Sequence, residues 1–480
     1  MQPSRSPIVA GRTGRQAASQ PLSAVLISTY ELGHQPFGLA SPATWLREAG
    51  VDVTCMDLAV QPLQEPPLVT ADIVAFYVPM HTATRIAAQV IPRVRAINPR
   101  AHLCVYGLYA PMNEGFLRSL GVDTIIGGEF EEPLVTLAQQ VRELRRPRSG
   151  DGRQTLPLVS LSRQRFKVPD RTGLPPLSDY ACLQLPGGGH KVCGYVETTR
   201  GCKHLCRHCP IVPVYGGRFR VVQREVVLED ISRQVEAGAE HIVFGDPDFF
   251  NGPAHAVAVV EALHRRFPDL SYDVTIKIEH LLQHARYLPV LRGTGCLLVT
   301  SAVEAFHERI LEIFDKRHSR QDFIDVVGLL RDVGLSFNPT FVAFTPWTTF
   351  DMYVEFLVTI HRLGLVGNVA PIQYAIRLLI PEGSRLLELP EVRSFLKGFD
   401  AEALCYRWVH PDPRVDELQR RVLKLVEQSL SERSSREEVL RQVSEVTADD
   451  ATSEQRVRLL ELDHGPPRER IPYLTEPWFC

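Results

Sequence analysis

The sequence predicts an α/β chain built in tandem: a Rossmann-like layer first, a partial (β/α)6 TIM-like barrel second, and a helical C-terminal extension. Three observations carry this. Short β-rich runs alternate with amphipathic helical stretches in two separate series. A stretch rich in Pro, Gly and charge, residues 146–190, separates the series. After residue 387 the β-rich runs stop and helical periodicity takes over. At 480 residues the chain is too long for one ordinary core, in keeping with more than one unit.

The first series spans residues 21–145. Its β-rich runs fall at 24–29, 51–56, 73–78, 102–106 and 124–126, with helix-like stretches such as 82–96 and 133–144 between them. In an open parallel sheet, ligands sit beyond the carboxyl ends of the strands. That rule nominates residues 30–38, 107–111 and 127–132 as the mouth of this layer, with glycines that let backbone approach a ligand. Residues 1–20 precede it and carry Arg5, Arg12 and Arg15 with no acid. They read as a disordered leader; transit-peptide composition is the other reading.

Arg145 to Arg153 has the composition of an exposed, solvated linker. From 191 to 387 strand and helix signals alternate again, over a length that suits a partial barrel better than a full eight-unit one. The expected strands are 194–198, 241–244, 272–278, 297–301, 339–344 and 372–379, with helices such as 226–237 and 320–333. Residues 388–480 read as helices at 415–430 and 435–446, then a Pro-punctuated tail ending in Cys480.

Composition narrows the function. With 44% hydrophobic and 23% charged residues and a formal charge of -3, the chain shows no sign of disorder or of a polyanion-neutralising surface, so no nucleic-acid partner is expected. No apolar run reaches the length of a membrane span, so no membrane partner is expected and the cytoplasm is the expected location. Of ten cysteines, three lie between positions 202 and 209, which points to metal or redox chemistry rather than a disulfide framework. Cys55, Cys104 and Cys296 sit in or beside expected strands and read as small buried hydrophobes.

The decisive segment is Thr199-Arg200-Gly201-Cys202-Lys203-His204-Leu205-Cys206-Arg207-His208-Cys209-Pro210, directly after an expected strand. Three thiolates at this spacing on a loop can wrap one small iron-sulfur cluster, soft sulfur on soft iron, and leave one iron open. A closed zinc site is the competing reading, with Cys193, His204 or His208 as fourth ligand. The C-x3-C-x2-C spacing after the first strand of an α/β series resembles the radical S-adenosylmethionine (SAM) superfamily, over residues 191–387. The resemblance implies a 4Fe-4S cluster on Cys202, Cys206 and Cys209, SAM chelated at the open iron, and reductive cleavage of a C–S bond. It also implies an external electron donor such as flavodoxin or ferredoxin, and a small-molecule substrate. By the same resemblance Asp246 and Asp248 are candidates for the SAM amino group, Glu304 for its ribose or carboxylate, and Lys277 and Arg317 for cationic contacts. The family's common Gly-Gly-Glu is absent, and taken alone each of these residues reads as a surface charge or a structural ion pair.

A layered domain before such a barrel resembles the cobalamin-binding type of radical SAM enzyme, through the Gly127-Gly128-Glu129 turn and the linker from Pro169 to Tyr180. That adds cobalamin as a further expected cofactor, an empty front domain being the alternative. The loop Tyr30-Glu31-Leu32-Gly33-His34-Gln35 is not the Asp-x-His-x-x-Gly motif that supplies histidine to cobalt, and His34 reads as a solvated loop residue. Over nearly the whole chain the sequence also resembles radical SAM proteins with a Cys-Sec-Ala-Glu-Pro or Cys-Cys-Ala-Glu-Pro tail, among them the arsinothricin biosynthesis enzyme. Ser28 to Gly33, Arg207 to Arg220, and Thr475-Glu476-Pro477-Trp478-Phe479-Cys480 carry that resemblance. It implies a catalytic Cys480 on a thiol- or selenol-bearing tail, a chain that continues past it (a free terminal cysteine being the other reading), and transfer of the 3-amino-3-carboxypropyl group of SAM to trivalent arsenic in specialised metabolism. The alternatives are cobalamin-dependent methylation, or a related radical reaction on a natural product, and a non-catalytic zinc-binding scaffold.

Overall fold

The computed structural model describes residues 21–144, 156–432, 434–462 and 471–476. The leader, residues 145–155 of the charged stretch and Cys480 lie outside the described residues.

Six parallel strands form the first sheet: β1 (Leu22–Ser28), β2 (Val51–Asp57), β3 (Ile73–Tyr77), β4 (His102–Tyr106), β5 (Thr124–Gly128) and the two-residue β6 (Val159–Ser160). Their order is β2-β1-β3-β4-β5-β6. Both faces are covered, as the apolar runs require. Val25, Ile27, Val74 and Phe76 enter one core, while their neighbours Ala24, Leu26, Ala75 and Tyr77 enter another on the opposite face.

The strand order reverses between β1 and β3, the crevice where such sheets bind ligands. Here aromatic side chains pack the base of that crevice. The rings of Tyr77, Tyr106 and Phe130 lie 5.2 to 5.7 Å apart, and a side chain on Gly38 would strike Tyr77 at 2.1 Å. Helix Phe37–Glu48 contains Pro42, which cannot donate to the Gly38 carbonyl. The Tyr106 hydroxyl donates to that carbonyl instead, at 2.8 Å.

Residues 156–190 are more than a connector. They supply β6 to the first sheet and β7 (Cys182–Gln184) to the second. The second sheet continues with β8 (His190–Val196), while β9 (Thr199–Gly201) and β10 (Phe219–Val221) form a separate hairpin. Next come β11 (His241–Phe244), β12 (Ser271–Thr275), β13 (Cys296–Glu304) and β14 (Ser336–Phe341). Strands β8, β11, β12, β13 and β14 are parallel neighbours, curled around a lumen with helices outside. A hairpin of β15 (Leu396–Asp400) and β16 (Cys405–Trp408) follows, and β17 (Tyr473–Leu474) returns to pair antiparallel with β7.

Two expectations need correction. The sixth barrel strand, placed at 372–379, is reduced to one parallel bridge between Phe344 and Arg377. Pro371 opens a 3-10 turn there, and the Gln373 side chain accepts the Phe341 N–H at 2.6 Å, taking a bond that a strand would have made. The C-terminal region, expected to be helical, also contains strands: the β15–β16 hairpin, and β17, which is too short for a periodic signal. Elsewhere local chemistry decides: Ser319 and Asp322 form a capping box at the start of helix Arg320–Val333, and Gly334 (φ +76°) ends it.

The C-terminal helices Pro413–Glu432 and Arg436–Ala448 pack on the barrel through Leu418, Val422, Val439 and Val443. Among the described residues no helix is long and apolar enough to cross a membrane.

Candidate active site

The cysteine loop is a closed excursion from the barrel. Strands β9 and β10 pair antiparallel, Arg200 opposite Arg220, and clamp the two ends of the loop together. Gly201 (φ +75°) is required at the clamp, because a side chain there would meet the Tyr215 ring at 2.4 Å. Inside the loop, the Cys209 N–H donates to the Cys206 carbonyl at 3.2 Å, and helix Ile211–Tyr215 stops at left-handed Gly216. Asn251 ties the loop to the barrel: it accepts the Lys203 N–H and donates to the Gly201 carbonyl, both at 3.2 Å. Arg207 anchors the far side on the carbonyls of Glu312, Ile313 and Phe314.

The loop gathers its three thiols into one electrostatic neighbourhood. Burial pushes Cys202 up to about 11, with Asp248 and Cys206 raising it further against the His204 backbone amide. Burial likewise pushes Cys209 up to about 12, and the charges of Cys206 and Cys202 add to it. Burial disfavours the anionic sulfurs of Cys202 and Cys209, so thiolates here call for a cationic centre, and three sulfur donors fit soft iron. The donor set therefore fits an iron-sulfur cluster.

Two charged constellations flank the thiols. In the first, His280 Nδ1 and His204 Nε2 stand 2.5 and 3.4 Å from the same oxygen of buried Asp248. Burial disfavours the Asp248 anion, yet the two imidazoles hold its carboxyl well below the usual range. Lys277 Nζ donates to His204 Nδ1 (3.2 Å) and to Glu279 (3.0 Å). One ligand atom each of Cys202, His204 and Asp248 lies within 4.8 Å of the other two.

In the second constellation, Glu304 ends β13 in left-handed backbone (φ +73°), at a register shift in its pairing with β14. Strain of that kind in a non-glycine residue persists only where the surroundings enforce it. Here they do: His208 Nε2 lies 3.0 Å and Lys316 Nζ 3.2 Å from Glu304 Oε1. Burial opposes the Glu304 anion, but Lys316 and His208 depress its pKa well below the usual range. Burial opposes the Lys316 cation in turn, while Glu304 and then Cys206 raise its pKa.

The structure brings Asp248, Lys277 and Glu304 to the cysteine loop and treats the other candidates differently. Asp246 is adjacent, but its carboxylate accepts the Thr198 N–H (2.9 Å) and the hydroxyls of Thr198 (2.7 Å) and Thr199 (2.6 Å), so it positions the turn into the loop. Arg317 is displaced: its exposed guanidinium lies 3.5 Å from Asp315, and its neighbour Lys316 is the buried cation. His34 is a further correction. It is buried, stacked on Tyr195 at 4.8 Å, and lowered by burial to about 4. Sequence reasoning passed over Lys316, His280 and Glu279; their only signal is position, just after expected strands or beside a nominated residue.

Residues 196–357 match the family model of the radical SAM superfamily. The matched residues, which carry the cysteine loop, form a radical SAM domain, and such a domain implies a 4Fe-4S cluster and SAM as cofactors. Within that class the chain is similar to the hopanoid C-3 methylase of Methylococcus capsulatus, 24% identical over 333 residues, 65% of this chain and 62% of that protein's length. The chain thus spans somewhat under two thirds of that relative. In fold it is similar to the cobalamin-dependent SAM radical enzyme OxsB with aqua-cobalamin and SAM bound: TM-score 0.66, 12% identity, 92% of this chain and 70% of that one. It is similar also to the radical SAM methyltransferase TsrM of Kitasatospora setae with cobalamin and a [4Fe-4S] cluster bound: TM-score 0.55, 16% identity, 72% and 71%.

Proposed function

We propose that this chain is a radical SAM transferase of the methyltransferase type acting on a small organic molecule. Cys202, Cys206 and Cys209 would hold the cluster, and the observation that carries the reading is their placement on one clamped loop at the carboxyl ends of the barrel strands. The bound cluster supplies SAM chelation at its open iron and the electron that breaks a C–S bond.

The chain's own residues prepare that chemistry. Asp246 fixes the loop's origin; Asp248 orients His204 and His280 beside Cys202; Lys316 places a buried positive charge near Cys206 and Cys209, offsetting thiolate charge. Glu304 and Lys277 are the groups we assign to the polar ends of SAM.

The methylase and methyltransferase relatives support transfer of a one-carbon unit. Aminocarboxypropyl transfer to arsenic rests on the tail resemblance alone, and Cys480 lies outside the described residues. The cobalamin in OxsB and TsrM supports the front layer as a second cofactor's seat. Among the described residues His34 is stacked on Tyr195, and His81 Nε2 lies 2.5 Å from the Ala403 carbonyl. Both histidines are thus engaged within the protein, and a corrinoid bound at this layer would take neither of them as a ligand.

Anaerobic reconstitution followed by product analysis tests the reading. Brown protein with about four irons per chain, yielding S-adenosylhomocysteine and 5'-deoxyadenosine from SAM, is the expected outcome, and co-elution of added hydroxocobalamin supports the second cofactor. Methylthioadenosine as the main product would replace methyl transfer by aminocarboxypropyl transfer. Colourless protein with bound zinc would end the radical reading.

A further inference from the structure

The barrel lumen holds a cavity of about 450 Å³ whose wall contains no residue of the cysteine loop. Asp273 of β12, Thr300 of β13, and Asn338 and Thr340 of β14 face it; Arg436, Tyr473 and Glu476 are among the residues that complete it. These are the alternate positions of strands whose other face, Val299, Phe337 and Phe341, joins the apolar core.

A closed eight-stranded barrel fills its interior with bulky branched side chains; this open, partial barrel does not. A lumen whose lining includes two carboxylates, several hydroxyls, two amides and a guanidinium, with this much space between them, is the build of a binding pocket.

The wall is completed from the far end of the chain. Strand β17 hydrogen-bonds to β7, and Arg436 bridges the remaining gap: its guanidinium lies 5.4 Å from the Tyr473 ring and donates to the Gly367 carbonyl at 2.5 Å. Opposite in charge is Asp273, which is buried at the cavity surface and backed by a rank of fixed groups. His241, fully buried, meets one Asp273 oxygen with Nε2 at 2.9 Å and Ser271 Oγ with Nδ1 at 2.9 Å. Lys191 Nζ donates to the same Ser271 hydroxyl at 2.9 Å. A carboxylate held this rigidly at a cavity wall is preorganised for a donor or cation arriving from the lumen.

We propose that this cavity seats the substrate, and that the substrate is a small zwitterion of α-amino acid type. Its ammonium meets Asp273, its carboxylate meets Arg436, and Thr300 and Thr340 offer hydroxyls to the part between. The proposal rests on the radical SAM reading and names the substrate class for it.

The test uses the full-length, cluster-loaded chain with SAM at saturation, so that the SAM site is filled. Each of the proteinogenic L-amino acids is titrated by calorimetry, and the best binder is compared with its N-acetyl and methyl-ester derivatives. At least one free amino acid binds, and blocking either end weakens binding about tenfold or more. Asp273→Asn loses the preference for a free amine, Arg436→Gln loses the preference for a free carboxylate, and Arg436→Lys keeps it. Iron content and the SAM-dependent change in the cluster's EPR signal stay as in the parent, which separates failure of this proposal from failure of the radical reading. Thr300→Val, nearly isosteric, weakens binding without unfolding and serves if Asp273→Asn is unstable. No binding of any zwitterion to iron-loaded protein, or binding indifferent to both charge variants, overturns the proposal.

Discussion

Asp246 commits its carboxylate to the turn that leads into the cysteine loop, and its replacement tests whether a residue that touches no cluster ligand still governs cluster loading. Asp246→Ala leaves the Thr198 N–H and two threonine hydroxyls without their acceptor in a buried place. The expected loss is about 3 kcal/mol, read by urea unfolding, with less iron retained per chain although all three cysteines remain. Full iron at unchanged stability would remove the positioning role. Glu197 makes a different test. Burial raises it to about 7, against the lowering effect of Arg200. A carboxyl raised on folding binds its proton more tightly in the native state, so its contribution to stability falls as pH rises from the ordinary carboxylate range to about 7, and is constant above. The melting temperature of Glu197→Gln minus that of the parent should therefore climb over that window and then level off; a flat difference would contradict the raised value. The same scale shows why some site residues escape a sequence reading. Lys316 and Arg317 are chemically alike in a string of letters. Left-handed backbone at Asp315 (φ +54°) and Arg317 (φ +57°) turns the first cation inward and the second out. Likewise, nothing in the spacing of His204, Asp248 and His280 shows that two imidazoles converge on one carboxylate.

Helix Phe37–Glu48 poses the corresponding question for an element. Pro42 frees the Gly38 carbonyl and Tyr106 of β4 claims it, so a strand and a helix are joined by a bond that exists because of one proline. Tyr106→Phe should cost about 1–2 kcal/mol in the parent, since a buried carbonyl loses its donor. In a Pro42→Ala background the helix supplies its own N–H, and the cost should shrink. Equal costs in both backgrounds, measured by a double-mutant cycle on unfolding free energies, would refute the link. Elements of this kind were largely legible in sequence. The first five strands of the first sheet announce themselves because both faces are apolar, and the start and stop of helix Arg320–Val333 are written in Ser319, Asp322 and Gly334. The sixth barrel strand was misread because its β-rich letters follow Pro371 and include a glutamine whose side chain replaces a ladder bond. Strand β17 was missed because two residues have no period; its partner β7, far away in sequence, creates it.

At the scale of the whole molecule, one buried cation joins the two sheets and the cysteine loop. Arg200 lies in β9 at the foot of the loop, 5% exposed, with Glu131 at 2.7 Å and Glu129 at 3.3 Å across the boundary and Glu197 at 2.7 Å on its own side. Phe37, Phe130 and Phe166 place their rings 4.9 to 5.3 Å from its guanidinium, and Tyr215, from the helix that closes the loop, donates to Glu129 at 3.2 Å. Three carboxylates around one guanidinium leave surplus negative charge in a dry place, and burial accordingly raises Glu129 and Glu197. Arg200→Met keeps the volume and removes the buried cation that pairs with all three. The loss should be large, about 3–5 kcal/mol, because it strands buried anions rather than merely deleting a bond. Two features distinguish this from lost packing. The destabilisation should diminish as pH falls and the stranded carboxyls take up protons, and Glu129→Gln or Glu131→Gln in the Arg200→Met background should restore part of the stability that either substitution alone would not add to the parent. Because Tyr215 and the β9–β10 clamp share this hub, iron retention should follow the same order: parent, then the rescued double variant, then Arg200→Met. An Arg200→Met protein with parental denaturation and full iron would mean that the front layer and the cysteine loop are mechanically independent.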